Sequence, residues 1–460
     1  MLSALFTAFQ VAPYVMAVLL GVLVPLLGVV CYSHFGAGLA VICGMFAVEG
    51  LYMFVGGVQL GITVYYTDFV LVFIGVVGGL RWLLARDMPR RHWAWVLYAL
   101  TFFVSLGTGL LAYGSGAGVQ SRGYAYSVMV GTYALSFAID ERRVKLLANA
   151  MVWIATLLIG LCAYRWVVYY TPIRELLPAE GVYNTDGAIR VIRSYEAVVL
   201  GQVFVVALFF GRFSRGLVVA RLFSPLLLAV VAALQHRSVW LALIVGVFAS
   251  LFVVRSKRGS RLGQVLLLAL IVGLTALPLV VSDELAGLGT EVSGSASRAV
   301  GGEGSVGERL DNWKGLIQLW YGGGPRSILV GQSFGSDATR YVQDKVRGGE
   351  HKIEYFAHNY YVQTLYNMGL VGLAAFVALL VYAVGGLYRL CANGQGGPAA
   401  EVLLVLCIMQ AAYYVPYGTD YLQSLILGVA VAFVATQQRL AASAVAAPAT
   451  PRSAARWGMA

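Results

Sequence analysis

The chain has 460 residues, of which 60% are hydrophobic and 12% charged, with a net charge of +11. A soluble domain carries about 25% charged residues; half that density leaves too little polar surface to cover a soluble fold, so the apolar excess is expected to face lipid. The basic residues cluster in short connections between apolar runs, a pattern of membrane-topology signals that argues against a nucleic-acid surface.

Spanning hydrocarbon takes about 20 mostly apolar residues per helix. In chain order, helices are expected at 11–32, 37–57, 63–80, 93–113, 124–139, 146–170, 196–211, 217–235, 238–254, 264–282, 360–387, 401–416 and 421–436. The fold class is therefore an all-α polytopic membrane protein of about 12 transmembrane helices. Met1 to Gln10 holds neither a charged start nor a small-residue cleavage site, so the first run reads as a retained helix. Four basic sets are each separated by a pair of helices: Arg81, Arg86, Arg90 and Arg91; Arg142, Arg143 and Lys145; Arg212, Arg215 and Arg221; Arg255, Lys257, Arg258 and Arg261. They share one face, the cytoplasmic one, with Arg439, Arg452 and Arg456 of the C-terminal tail.

This register places 114–123, 171–195, 236–237, 283–358 and 416–420 outside. The segment 283–358 holds eight Lys/Arg and ten Asp/Glu, against 24 and 11 in the rest of the chain, which supports the same sidedness. Four units follow: an N-terminal transmembrane bundle over 1–282, a large extracytoplasmic loop over 283–358, C-terminal transmembrane helices over 359–440, and a disordered cytoplasmic tail over 441–460.

Three polar features stand out. Gln235-His236-Arg237-Ser238-Val239-Trp240 lies between two apolar runs, which leaves Arg237 close to the outer membrane face. An intramembrane guanidinium is expensive without an anionic partner and suits phosphate oxygens. Arg237 is thus a binder of a lipid-linked diphosphate, or else a snorkelling residue or half of a structural ion pair. Within the loop, a flexible Gly/Ser-rich stretch over 287–307 precedes an amphipathic helix with Leu310, Trp313, Ile317 and Trp320 at helical spacing and Arg309 at its start. His358 then stands where the loop returns to the membrane and starts a helix, beside Asn359. An imidazole that exchanges a proton near neutrality suits a general base, and free N–H groups at a helix start favour anions; a purely structural histidine is the alternative.

Zinc is not favoured, because no HExxH, i and i+4 histidine pair or CxxC occurs. GxxxxGK[ST] is missing too. The five cysteines all lie in or beside apolar runs, so no disulfide framework is indicated.

ERLDNW around Arg309, the GQSFG segment, HNYYVQTLYNMGLVGL from His358 to Leu373, and QHRSVW around Arg237 together resemble the O-antigen ligase/polymerase family of bacterial envelope glycosyltransferases. The resemblance covers roughly residues 230–375. It implies a GT-C-like membrane glycosyltransferase of the inner membrane with a periplasmic active site, using a glycan on undecaprenyl diphosphate as donor and no cofactor or metal. Carried onto this chain, Arg237 and Arg309 would grip the diphosphate and His358 would activate the acceptor hydroxyl. Arg190 and Arg193 are lesser candidates for the same donor, as is Asn359 for substrate.

Within that family, a polymerase joins lipid-linked repeat units and a ligase moves the glycan to lipid A-core. The flexible start of the loop, as a cover over a growing chain, favours the polymerase, with membrane lipids and a chain-length regulator as further partners. The competing class is a flippase or transporter. Its charges would line a central path, whereas here only Glu49 and Asp68 are notable acids in apolar surroundings and the Arg and His candidates gather near one face.

Overall fold

A computed structural model describes residues 21–51, 56–59, 63–85, 93–171, 183–185, 188–255, 305–343, 350–353 and 358–446. The helix expected at 264–282, most of the Gly/Ser-rich stretch and the tail from 447 lie outside the described residues.

The chain is a helical bundle. Its elements are α1 (Gly21–Ser33), α2 (Phe35–Leu51), β1 (Gly57–Gln59), β2 (Thr63–Tyr65), α3 (Tyr66–Leu84), α4 (Trp93–Tyr113), α5 (Ser115–Leu135), α6 (Glu141–Tyr170), β3 (Tyr183–Thr185), β4 (Ala188–Arg190), α7 (Ser194–Phe210), α8 (Arg215–Leu222), α9 (Ser224–Ala233), α10 (Arg237–Arg255), α11 (Ser305–Gly322), α12 (Gly324–Val330), β5 (Arg340–Gln343), β6 (Glu350–Ile353), α13 (Tyr360–Ala392), α14 (Gly397–Tyr413) and α15 (Tyr421–Ala446).

Five of these helices are long and apolar enough to cross a membrane, or seven if the bent pairs α1–α2 and α7–α8 each count as one span. The expected total of about 12 is therefore not reached among the described residues. Bends and short helices account for part of the difference. Pro225 sits in the first turn of α9, where a missing N–H costs nothing; inside the single helix expected over 217–235 its ring would have clashed with the preceding turn. Side chains such as Val72, Val76, Phe103, Leu111, Trp153 and Val381 stay exposed on the long helices. So much contiguous apolar surface is a lipid-facing belt, and the chain is a multi-pass membrane protein. Helix α15 is buried along nearly its whole length to Thr436 and forms the centre, packed on α5, α13 and α14.

Three expectations are corrected. The polar stretch 114–123 is not a loop: α5 begins at Ser115, immediately after Gly114. The tail does not begin at 441, because α15 continues to Ala446. Nor is the chain wholly helical, since three short antiparallel hairpins, β1–β2, β3–β4 and β5–β6, stand in the connections. At a membrane surface such pairing satisfies backbone groups that a bare loop would leave to water.

Hydrogen bonds sort the connections into two ends. At one end Arg81 donates to Ser136 O and Tyr32 O, both at 2.9 Å, and Gly216 N donates to the Asn149 side chain at 3.0 Å. At the other, Arg165 holds Val191 O and Gly50 O, Ser194 meets Ser238 at 2.8 Å, and Arg309 reaches Pro416 O. The connections read as outside thus assemble with one another, and those read as cytoplasmic do likewise.

Candidate functional site

The site begins with a kink. Helix α13 has 33 residues, which at 1.5 Å each would run about 50 Å, well beyond the roughly 30 Å of hydrocarbon. It breaks at Gly369, where φ is 67° and ψ −168°, a conformation open essentially only to glycine. Carbonyls freed by the break find donors: Gln332 N–H reaches Tyr366 O at 2.8 Å and the Ser105 hydroxyl reaches Asn367 O at 2.7 Å. The 329–331 turn passes so close that a Cβ on Gly369 would stand 2.3 Å from Leu329 O, and one on Gly331 would stand 2.5 Å from Asn367 O. The GQSFG segment is therefore a packing wedge that fixes the half-helix 360–368 against the bundle.

That half-helix carries the histidine. Asn359 caps it, its Oδ1 accepting from Val362 N at 3.0 Å. Tyr360 N–H donates to Tyr414 O and Tyr417 O, and the buried Tyr360 ring stacks on Tyr124, centroids 5.0 Å apart, while its hydroxyl meets Tyr98 at 2.6 Å. Two residues earlier, His358 lies flat on Tyr417, with centroids 5.0 Å apart and planes 5° from parallel. His358 remains exposed at the surface. Crowding by the surrounding protein, and then the positive charge of Arg309, hold its pKa below the ordinary imidazole value. Both effects favour the uncharged ring.

Helix α11 forms as its spacing predicts, but Leu316 is the residue that anchors it, fully buried against Ala338 and Tyr366. Leu310 and Ile317 stay exposed, the disposition of a helix lying at a headgroup surface. The first turns of α11 bring Arg309 to the 414–420 loop, where its Nη1 donates to Pro416 O at 2.9 Å.

Arg237 opens α10 and Arg190 ends β4, paired with Tyr183 in the hairpin register. Both guanidinium charges act on Arg309, whose pKa is lowered first by burial and then by these two neighbours. Among the described residues, Arg309 and Arg190 make no ion pair with a carboxylate. Three like charges held together at a protein surface repel one another, and an anion placed among them would relieve that repulsion. The neighbouring His236 is not an added cation: burial and then Arg190 push it down to about 4. Its contact at 3.0 Å is with a carbonyl, Ile192 O, so Nε2 is the donating nitrogen.

Arg193 lies apart from this trio's main role. Its backbone N–H donates to Glu196 Oε2 at 2.8 Å to start α7, and its guanidinium bonds the Tyr195 hydroxyl. With Glu49, Tyr65, Thr67, Arg122, Gly123, Tyr126, Tyr195 and the 419–421 turn, it lines a cavity of about 290 Å³. Glu49 and Asp68 belong to this end of the bundle as well. Glu49 accepts from Thr67 and Tyr421, each at 2.7 Å, and Asp68 pairs with Arg122 at 3.1 Å.

The structure thus brings Arg309, Arg190 and His358 to the 414–420 loop, with Arg237 close enough for its charge to act on Arg309. Sequence reasoning missed Tyr417, the partner of His358, and the cavity. The signal available was the run Tyr413-Tyr414-Val415-Pro416-Tyr417-Gly418-Thr419-Asp420-Tyr421, whose aromatic and acidic density is unusual for a short connection between apolar helices.

The fold and site define a multi-pass helical membrane protein with a cationic, histidine-bearing centre at one end of its bundle. Residues 222–377, about a third of the chain, match the family model described as O-Antigen ligase. The matched segment contains Arg237, Arg309 and His358 and corresponds closely to the 230–375 resemblance. No curated protein matches the chain.

Proposed function

We propose that the protein is a glycosyltransferase of the bacterial inner membrane whose periplasmic site polymerises undecaprenyl-diphosphate-linked repeat units. The observation that carries this reading is the trio Arg190, Arg237 and Arg309, drawn from three connections, with Arg309 acting on a histidine whose pKa is lowered, in a chain of which residues 222–377 match the family model described as O-Antigen ligase.

In the proposed reaction the trio receives the donor diphosphate. An acceptor sugar hydroxyl attacks the anomeric carbon, the new C–O bond forms as the bond to the diphosphate breaks, and the electron pair leaves with undecaprenyl diphosphate. Fixed guanidinium groups stabilise the charge that develops on the leaving group. His358 takes the hydroxyl proton, a role open to it only while uncharged. The domain reading accompanies this: the segment 283–358 is periplasmic, supplies Arg309 and ends at His358, while 1–282 and 359–440 form the membrane bundle of about 12 spans. Asn359 would act through the half-helix it caps.

The family's description favours one second reading, a ligase that transfers the finished glycan to lipid A-core. Both share all donor-side residues. Purified protein given lipid-linked repeat units alone should yield a ladder of longer lipid-linked products. No ladder, but transfer once lipid A-core is added, would establish the ligase; inactivity in both assays together with glycan-lipid translocation in liposomes would establish the flippase.

A further inference from the structure

The cavity beside the arginine trio has features the diphosphate reading does not use. Its lining comes from the same ends of α2, α3, α5, α7 and α15 that carry the outside connections, and its volume of about 290 Å³ is near the lower limit for small-molecule sites. It presents the carboxyls of Glu49 and Asp420 and the rings of Tyr65, Tyr126, Tyr195 and Tyr421. Asp420 is only 9% exposed. Its Oδ1 is spent on Leu422 N and Gln423 N, which starts α15, but its Oδ2 is buried without a hydrogen-bond partner among the described residues. An unpartnered buried acceptor costs free energy unless a donor reaches it. Burial raises the Asp420 carboxyl to about 7, a group held ready for hydrogen bonding. Each oxygen of Glu49 already accepts one hydroxyl and has a further lone pair.

We infer that this cavity is a sugar-ring subsite, taking one uncharged pyranose of a glycan through its hydroxyls on Asp420 and Glu49 and its apolar face on the tyrosines. The inference rests on the proposed transfer reaction for its biological meaning. Arg122 and Arg193 also line the cavity, but Arg122 is paired with Asp68 and Arg193 is bonded to the Tyr195 hydroxyl. The cavity and the trio meet through the 414–420 loop, since Tyr417 feels the charges of Arg309, Arg190 and Arg193 together.

Two variants test it. Gly123 lines the cavity, and a Cβ built on it meets nothing within 4 Å, so Gly123→Leu adds bulk at the cavity wall from an unobstructed Cβ and improves helix propensity. Asp420→Asn keeps the Oδ1 cap and replaces the orphaned oxygen with an amide. Equilibrium binding to full-length protein is measured with three probes: lipid-linked glycan extracted from producing cells, bare undecaprenyl diphosphate, and the oligosaccharide freed from that lipid by mild acid. Melting temperature confirms folding.

The inference expects affinity for a glycan-bearing probe to fall about tenfold or more, the scale of losing a charge-assisted hydrogen bond, with bare undecaprenyl diphosphate unaffected. Loss confined to the lipid-linked glycan assigns the ring to the donor; loss shared by the free oligosaccharide assigns it to the acceptor. Unchanged glycan binding in folded Gly123→Leu, or equal loss with the bare lipid, would overturn the subsite. Absence of turnover in the unaltered protein would instead sink the transfer reaction, because these measurements do not depend on it.

Discussion

His358 lies parallel to the ring of Tyr417, 5.0 Å from centroid to centroid, so among the described residues the proposed base is oriented by a face contact and not by a hydrogen-bonded carboxylate. Tyr417 is in turn fixed by its own carbonyl, which accepts from Tyr360 N at 3.0 Å. The stack links the loop that receives Arg309 to the half-helix that carries the histidine.

Tyr417→Phe should therefore retain near-normal turnover, because the stacking face survives. Tyr417→Ala should lower the transfer rate by about a hundredfold, as expected when a reacting group moves by roughly an ångström. Steady-state assays on the two variants check this; equal loss in both would assign the hydroxyl, and not the stack, as the functional feature.

The arginine trio predicts a different signature. Arg237→Ala and Arg309→Ala should each weaken donor binding and cut turnover by about a hundredfold or more. Lysine at either position should rescue only partly, since it keeps charge and loses the planar fork. Affinity for bare undecaprenyl diphosphate reads the effect directly.

The rate should rise with pH as His358 loses its proton, with the limb below the ordinary imidazole range, because crowding and then Arg309 disfavour the charged ring. Removing a nearby positive charge makes protonation easier and raises the histidine pKa. Arg309→Gln should therefore move the acid limb of the pH–rate profile to higher pH, whereas Arg81→Gln, at the opposite end of the bundle, should leave it in place.

The kink should be intolerant of side chains. Gly369→Ala and Gly331→Ala each force alanine into a glycine-only conformation, costing about 1–3 kcal/mol from strain, and each drives a Cβ against backbone atoms as well. Thermal melting in detergent should fall for both, while Gly123→Ala, in open space, should melt at or above the parent.

Sidedness is testable by labelling. Gln318→Cys, exposed on α11, should react with a membrane-impermeant thiol reagent applied from the periplasm, and Arg142→Cys at the other end should not. The reverse pattern would invert the proposed topology.

Much of this was legible in the sequence. Apolar run lengths gave helices α3, α4, α6, α7, α10 and α13 close to their observed limits, and Arg81 of one basic set meets Ser136 O, just before the next set. Arg237 stood out as a charge between two apolar runs and His358 by its place where the loop meets a helix, whereas a role for Arg309 came from the family resemblance. The half-helix was not visible, because Gly369 in an apolar run does not reveal that its φ is positive. Helix α5 was misjudged because Ser115 to Gly123 is polar and glycine-rich, yet it packs on the 333–336 turn through contacts such as Gln120 with Ser336 O. The cavity gathers residues from five elements far apart in the chain, which periodicity along one segment does not reveal.

The most direct test of the central claim is single-turnover release of undecaprenyl diphosphate from lipid-linked glycan by purified protein, with donor affinity measured in parallel. The account predicts that His358→Ala binds donor nearly as well as the parent but releases no product on the parent's timescale. Near-normal release from His358→Ala would contradict it.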